Sequence, residues 1–213
     1  MDQKTYWNNV ASSKEFTTML QMEVFEKYVP KDASILDIGC GYGRTMNELY
    51  HKDYKNITGI DFSEKLIERG KNSFPHLHLE MMEENDLKYP DNTFDVVMLV
   101  AVLTCIIKNE EQIQLFNRIK QLLKPNGIVY INDFLLNEDE RNKKRYTEFF
   151  LKYNTYGVFE LTEGAILRHH DKQWVEKSLE LFDKILFEEI TYKTMNGNQS
   201  KGYYYLGRNL KNK

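Results

Sequence analysis

At 213 residues and a net charge of −3, the chain is long enough to bury a full core as one compact domain, 1–213, and carries no global positive field to draw it onto nucleic acid. No apolar run approaches the ~18–20 residues that span a bilayer, and the opening "MDQKTYWNNV" lacks an apolar signal core, so the expected setting is cytoplasmic, with no membrane partner. Two cysteines, Cys40 and Cys105, are too few for a disulfide framework or a four-thiolate metal site.

The first 29 residues are predicted helical, since Phe16, Met19, Leu20, Val24 and Phe25 fall on one side at helical spacing before Pro30. Apolar β runs then alternate with amphipathic helices. "SILDIG", "NITGID", "LHLEMM", "FDVVMLVAV" and "PNGIVYINDF" are the predicted strands. Ser63 is placed to cap the helix "SEKLIERGKNSF", and Asn109 and Gln112 are spaced like a capping box before "NEEQIQLFNRIKQLL". Residues 134–183 are predicted mostly helical with an aromatic middle, and Lys143-Lys144-Arg145 is expected to be a solvated helix face. "KILFEEITYKT" and "KGYYYLGR" form a predicted hairpin about "MNGNQS". The fold expected is α/β, Rossmann-like: a doubly wound, mostly parallel seven-stranded sheet ending in an antiparallel hairpin, with helices on both faces. A helical cap at 1–30 and a lid insert at 134–183 complete it. Ligands of such sheets bind at the carboxyl ends of the strands.

"ILDIGCGYGR", Ile35 to Arg44, ends a strand in a carboxylate and then places glycine at every second position. The dinucleotide fingerprint needs a third glycine three residues after the second, and Arg44 stands there instead. Asp61, ending the next strand, can accept from both hydroxyls of an unphosphorylated ribose.

"ILDIGCGYGR", "GIDFSEKLIERGK", "PDNTFDVVMLVAVLTCI" and "LLKPNGIVYINDF" resemble, in order and spacing over residues 33–134, the successive motifs of class I S-adenosylmethionine-dependent methyltransferases, in particular small standalone bacterial-type ones. The resemblance implies S-adenosyl-L-methionine as cofactor, with S-adenosyl-L-homocysteine as product, and in-line displacement onto an acceptor. It implies that Gly39, Cys40 and Gly41 line the methionine moiety, Asp37 supports its ammonium end, Asp61 holds the ribose and Phe62 packs on the adenine. Val100 would offer its carbonyl to the ammonium group. The family's usual Gly-Asp-Ala aligns with Met82-Glu83-Glu84, so Glu83 and Glu84 would meet the adenine; this departs from the usual Asp-Ala.

Motifs of three subclasses are missing: the Asn/Asp-Pro-Pro-aromatic run of amino-directed DNA enzymes, the Pro-Cys nucleophile of cytosine-carbon enzymes, and the double-Glu loop of protein-arginine enzymes. The expected partner is therefore a small-molecule substrate, with no nucleic acid. Pocket candidates are Tyr6 and Trp7 in the cap, Thr104 after the fourth strand, and Arg168, His169 and His170 in "GVFELTEGAILRHH", which can form a short hairpin over the site. His169 and His170 are the catalytic candidates, because a neutral histidine can take a proton near working pH. No metal is expected: His76 and His78 lack clustered partners, and the adjacent His169 and His170 would point opposite ways in a strand. The alternatives are a non-catalytic cofactor-binding protein and an NAD-dependent oxidoreductase. Oligomeric state is left open.

Overall fold

The computed structural model describes residues 2–83 and 87–210. In chain order it contains α1 Gln3–Val10, α2 Met22–Tyr28, β1 Ile35–Ile38, α3 Arg44–Tyr50, β2 Ile57–Asp61, α4 Glu64–Ser73, β3 His78–Met81 and β4 Phe94–Val100. There follow a 3-10 turn at Leu103–Cys105, α5 Asn109–Leu122, β5 Leu123–Phe134, α6 Glu140–Tyr153, β6 Val158–Glu160, β7 Ile166–Arg168, α7 Lys172–Ser178, β8 Asp183–Lys193 and β9 Gln199–Arg208.

Seven strands form one sheet in the order β3-β2-β1-β4-β5-β9-β8. The first five run parallel, and β9 is antiparallel to both β5 and β8. The central strands are apolar on both faces because helices cover both: Leu36, Val97 and Val129 belong to one buried cluster and Ile35, Val96, Met98 and Ile128 to the other. The Rossmann-like seven-stranded architecture expected from the sequence is the one observed. β6 and β7 form a separate two-stranded hairpin. No helix among the described residues is long and apolar enough to cross a membrane.

Two local expectations are corrected. The N-terminal stretch is not one helix. Residues 11–21 cross the sheet without helical structure, because core side chains capture their backbone groups. Asn132 Nδ2 donates to the Met19 carbonyl at 2.6 Å, Gln21 N–H to Tyr130 Oη at 2.9 Å, and Arg69 Nη1 to the Ala11 and Lys14 carbonyls at 2.9 and 2.8 Å. These tertiary bonds override a helical apolar spacing. The capping box at α5 does not form either. The side chain of Gln112 turns inward and bonds the Ile106 carbonyl at 2.6 Å. Ser63 does cap α4, accepting from Leu66 N–H at 3.3 Å.

Candidate active site

The glycine turn after β1 is left-handed at each glycine: φ is 70° at Gly39, 57° at Gly41 and 81° at Gly43. At Gly41 a Cβ would stand 2.1 Å from Phe16 Cε2, so glycine is required there by contact as well as by dihedral. The turn's donors are used within the protein. Gly39 and Cys40 N–H reach the Ile60 carbonyl at 2.8 and 3.0 Å, Gly43 N–H reaches the Cys40 carbonyl at 3.0 Å, and Gly41 N–H reaches Asp61 Oδ2 at 2.9 Å. A phosphate-cradling loop leaves such donors free. This one binds the first strand's turn to the second strand's carboxylate instead.

A cavity of about 240 Å³ opens at the carboxyl ends of the strands. Asp37, Gly39, Cys40, Asp61, Phe62 and Val100 lie on its wall. Gly41 does not; it faces Phe16. Asp37 is 2% exposed, and its carboxylate accepts no hydrogen bond from any described residue. Burial, and then the negative charge of Asp61, push its pKa up to about 8. Burial also raises Asp61, to about 6, against the N–H groups of Ser63 and Gly41 that stabilise its ionised form. A buried carboxylate without a donor fits a ligand that brings positive charge. Past Val100 the chain turns through Ala101 at a φ of 57°, a conformation that a non-glycine residue adopts only where its surroundings impose it.

The far end of the cavity lies under α6 and the β6–β7 hairpin. Trp7, Thr104 and His169 are on its wall. His169 stacks on Phe134, with ring centroids 5.5 Å apart. Its Nδ1 faces Tyr146 Oη at 2.6 Å and Asn137 Nδ2 at 3.3 Å. The Asn137 amide is oriented by Lys201 N–H, which donates to its Oδ1 at 2.7 Å. Nδ1 therefore accepts and the ring proton sits on Nε2. Burial, then the charge of Arg145, hold the ring's pKa well below the ordinary range. His169 is thus a neutral N–H donor, which corrects its expected role as a proton acceptor.

Four other candidates fall off the cavity wall. Tyr6 is buried behind Trp7, with ring centroids 5.0 Å apart. Arg168 donates from Nη1 to the Ile107 carbonyl at 2.9 Å and lies 5.6 Å over the Trp174 ring. His170 is fully buried, its Nδ1 3.2 Å from the Phe134 carbonyl and its Nε2 2.8 Å from Gln112 Nε2. Glu83 is solvent-exposed, and Glu84 lies outside the described residues. Adjacent residues of an extended segment face opposite ways, so of His169 and His170 only the first meets the cavity.

Sequence reasoning missed several wall residues. Phe16, Thr17 and Thr18 come from the linker between α1 and α2, and Thr194 to Asn196 with Asn198 come from the β8–β9 turn. Arg141 and Arg145 come from α6. Here a signal existed: positions four apart share a helix face, which separates Arg145 from Lys143 and Lys144. Lys143 pairs in solvent with Glu138 at 2.8 Å, so the basic cluster is not uniformly a solvated face.

Residues 35–127 match a family model described as a methyltransferase domain. A mouse (Mus musculus) eEF1A lysine and N-terminal methyltransferase is 34% identical over 47% of this chain and 15% of its own length. A bovine (Bos taurus) tRNA N(3)-cytidine methyltransferase is 29% identical over 47% of this chain and 29% of its own. The chain thus spans under a third of either relative. In structure, a SAM-dependent methyltransferase from Methanosarcina mazei superposes with a TM-score of 0.84 at 24% identity, over 89% of this chain and 98% of that one. The relatives correct the expectation of a small-molecule substrate without nucleic acid, since they act on a protein and on tRNA. With the fold, the glycine turn and the unpartnered carboxylate in place, residues 35–127 are a methyltransferase domain on the fold of S-adenosylmethionine-dependent methyltransferases, which implies S-adenosylmethionine as cofactor.

Proposed function

We propose that this chain transfers a methyl group to an acceptor seated beneath α6 and the β6–β7 hairpin. The supporting observation is Asp37, a buried carboxylate on the cavity wall with no hydrogen-bond or ion-pair partner among the described residues. When bound, the cofactor supplies a methyl on a positively charged sulfur. The protein's task is then alignment and exclusion of water more than acid–base work. Asp37 balances the ligand's positive charge. Asp61 keeps lone pairs for the ribose hydroxyls after accepting from Gly41 and Ser63, and Phe62 packs on the adenine. Cys40 and the Gly39 and Val100 backbone border the amino-acid end. Trp7, Phe134 and Phe159 keep the acceptor end dry, and His169 directs its Nε2–H toward the acceptor.

The test has two stages. S-adenosylhomocysteine is expected to raise the melting temperature, by about 2.7 kcal/mol of stabilisation at 100 times its dissociation constant, and NAD to leave it unchanged. Isotope-labelled S-adenosylmethionine is then incubated with the enzyme and separate protein, RNA and low-mass cell fractions. Label in one fraction names the acceptor class. Label in none, from protein that binds the homocysteine product, overturns transfer in favour of binding alone. A thermal shift with NAD and none with the product overturns the cofactor assignment.

A further inference from the structure

Four cationic side chains lie on the cavity wall, and two of them are already neutralised. Lys14 Nζ pairs with Glu163 at 2.7 Å, and Arg44 Nη1 with Glu48 at 2.6 Å. Arg141 and Arg145, one turn apart on α6, are different. Among the described residues Arg141 has only Asp139, at 3.8 Å, and that carboxylate already caps α6 by accepting from Asn142 N–H at 3.1 Å. Arg145 has no carboxylate within ion-pair distance among the described residues, and its Nε is buried with no hydrogen-bond partner. Its guanidinium lies 3.4 Å over the Phe159 ring. Stacking fixes the plane of the fork and leaves its edge donors available.

Both guanidiniums press on His169, lowering its basicity, so their charge is felt at the acceptor end of the cavity. The acidic wall residues, Asp37 and Asp61, belong to β1 and β2, while Phe134 ends β5. From β2 to β5 the sheet crosses three strand spacings, roughly 14 Å. The cavity wall is thus acidic at the cofactor end and basic at the acceptor end, where Arg145 has no ion-pair partner among the described residues. Phe134, Phe159 and Leu167 surround that basic end with apolar surface, where a charge-assisted bond is stronger than in water.

We infer that the acceptor carries an anionic oxygen group, a carboxylate or a phosphate, on an apolar body, and that Arg145 grips it with Arg141 as a second contact. This rests on the methyl-transfer reading of the site and specifies its substrate class. Arg145 takes two oxygens of the anion along the edge of its fork, and the apolar body lies among Phe134 and Phe159.

The test uses protein loaded with S-adenosylhomocysteine and three probes of one shape: benzoate, phenyl phosphate and the neutral benzamide. By calorimetry, at least one anion is expected to bind about tenfold or more tightly than benzamide, in line with loss of a charge-assisted hydrogen bond. The preferred anion separates carboxylate from phosphate. Arg145→Gln is expected to lose that preference with homocysteine-product affinity unchanged, Arg145→Lys to keep part of it, and Arg141→Gln to lose less. Equal binding of all three probes, no binding of either anion, or full anion affinity in Arg145→Gln overturns the inference. So does a fall in product affinity in both Arg145 variants, which would assign the guanidinium to the cofactor. If wild-type protein fails to bind the product, the methyl-transfer reading itself falls.

Discussion

Gly41 gives its backbone N–H to Asp61 Oδ2 across 2.9 Å, so the carboxylate proposed for the ribose also closes the turn beneath it. Asp61→Ala removes both contacts. Product affinity should fall tenfold to a hundredfold, about 1.5–3 kcal/mol for a charge-assisted bond. Calorimetry on folded Asp61→Ala checks this, and unchanged affinity would refute the ribose role. Asp61→Asn, which keeps one acceptor oxygen, should lose less.

Gly41→Ala meets two obstacles, a left-handed φ of 57° and the Phe16 ring. The dihedral alone costs about 1–2 kcal/mol. Urea unfolding should show at least that loss, and Phe16→Ala in the same chain should recover the contact part while the dihedral part remains. Equal losses in single and double variants would mean that Phe16 moves aside freely.

Burial raises the pKa of three carboxylates: Asp37 to about 8, Asp133 to about 7 and Asp61 to about 6. Below about pH 6.5 His169 and His170, whose protonation burial disfavours, offset this, but from about pH 6.5 to 8 the folded, unliganded protein holds more protons on these groups than the unfolded chain. Stability must fall as pH rises through that window. Melting curves from pH 6.5 to 8.5 should show the decline, shallower in Asp37→Asn. Ligand charge beside Asp37 favours its ionised form, so S-adenosylmethionine should bind more weakly below pH 8 and release a proton on binding. Calorimetry in buffers of different ionisation enthalpy reads that proton directly.

His169 and His170 should separate cleanly. His169→Ala is expected to lower turnover with product affinity nearly intact. The pH profile of the residual rate in His169→Ala should keep the wild-type shape, because burial keeps the ring neutral. His170→Ala removes one of several buried contacts of Gln112 and of the Phe134 carbonyl, a cost of about 0.5–1.5 kcal/mol per bond that appears as a lower melting temperature. A turnover loss confined to His170→Ala would reverse the two roles.

The parallel sheet was legible because strands buried on both faces read as short apolar runs, and the turn residues between them are local. Asp37, Gly39 and Asp61 were legible for the same reason: each sits at a strand end, where topology places a ligand. The N-terminal cap was not. Phe16, Met19 and Leu20 have helical spacing, but Asn132, Tyr130 and Arg69, far along the chain, decide what their backbone does. His169 and His170 are alike in sequence and are told apart only by distant partners, Tyr146 and Asn137 for the first and Gln112 for the second. The wall residues Thr194 to Asn196 and Asn198 carry no local chemical signature; they reach the cavity only because β9 pairs with β5.

That β8–β9 turn sits at the tip of two long paired strands, closed by Thr194 N–H to the Asn198 carbonyl at 2.8 Å and anchored at Lys193 opposite Gln199. A Cβ at its Gly197 would meet nothing within 4 Å, so only the left-handed φ of 79° favours glycine there. The tip is therefore a cassette: a few residues that touch the acceptor end while nothing in the core depends on their identity. Selectivity can be rewritten there by loop grafting, with the cofactor machinery three strands away left as it is.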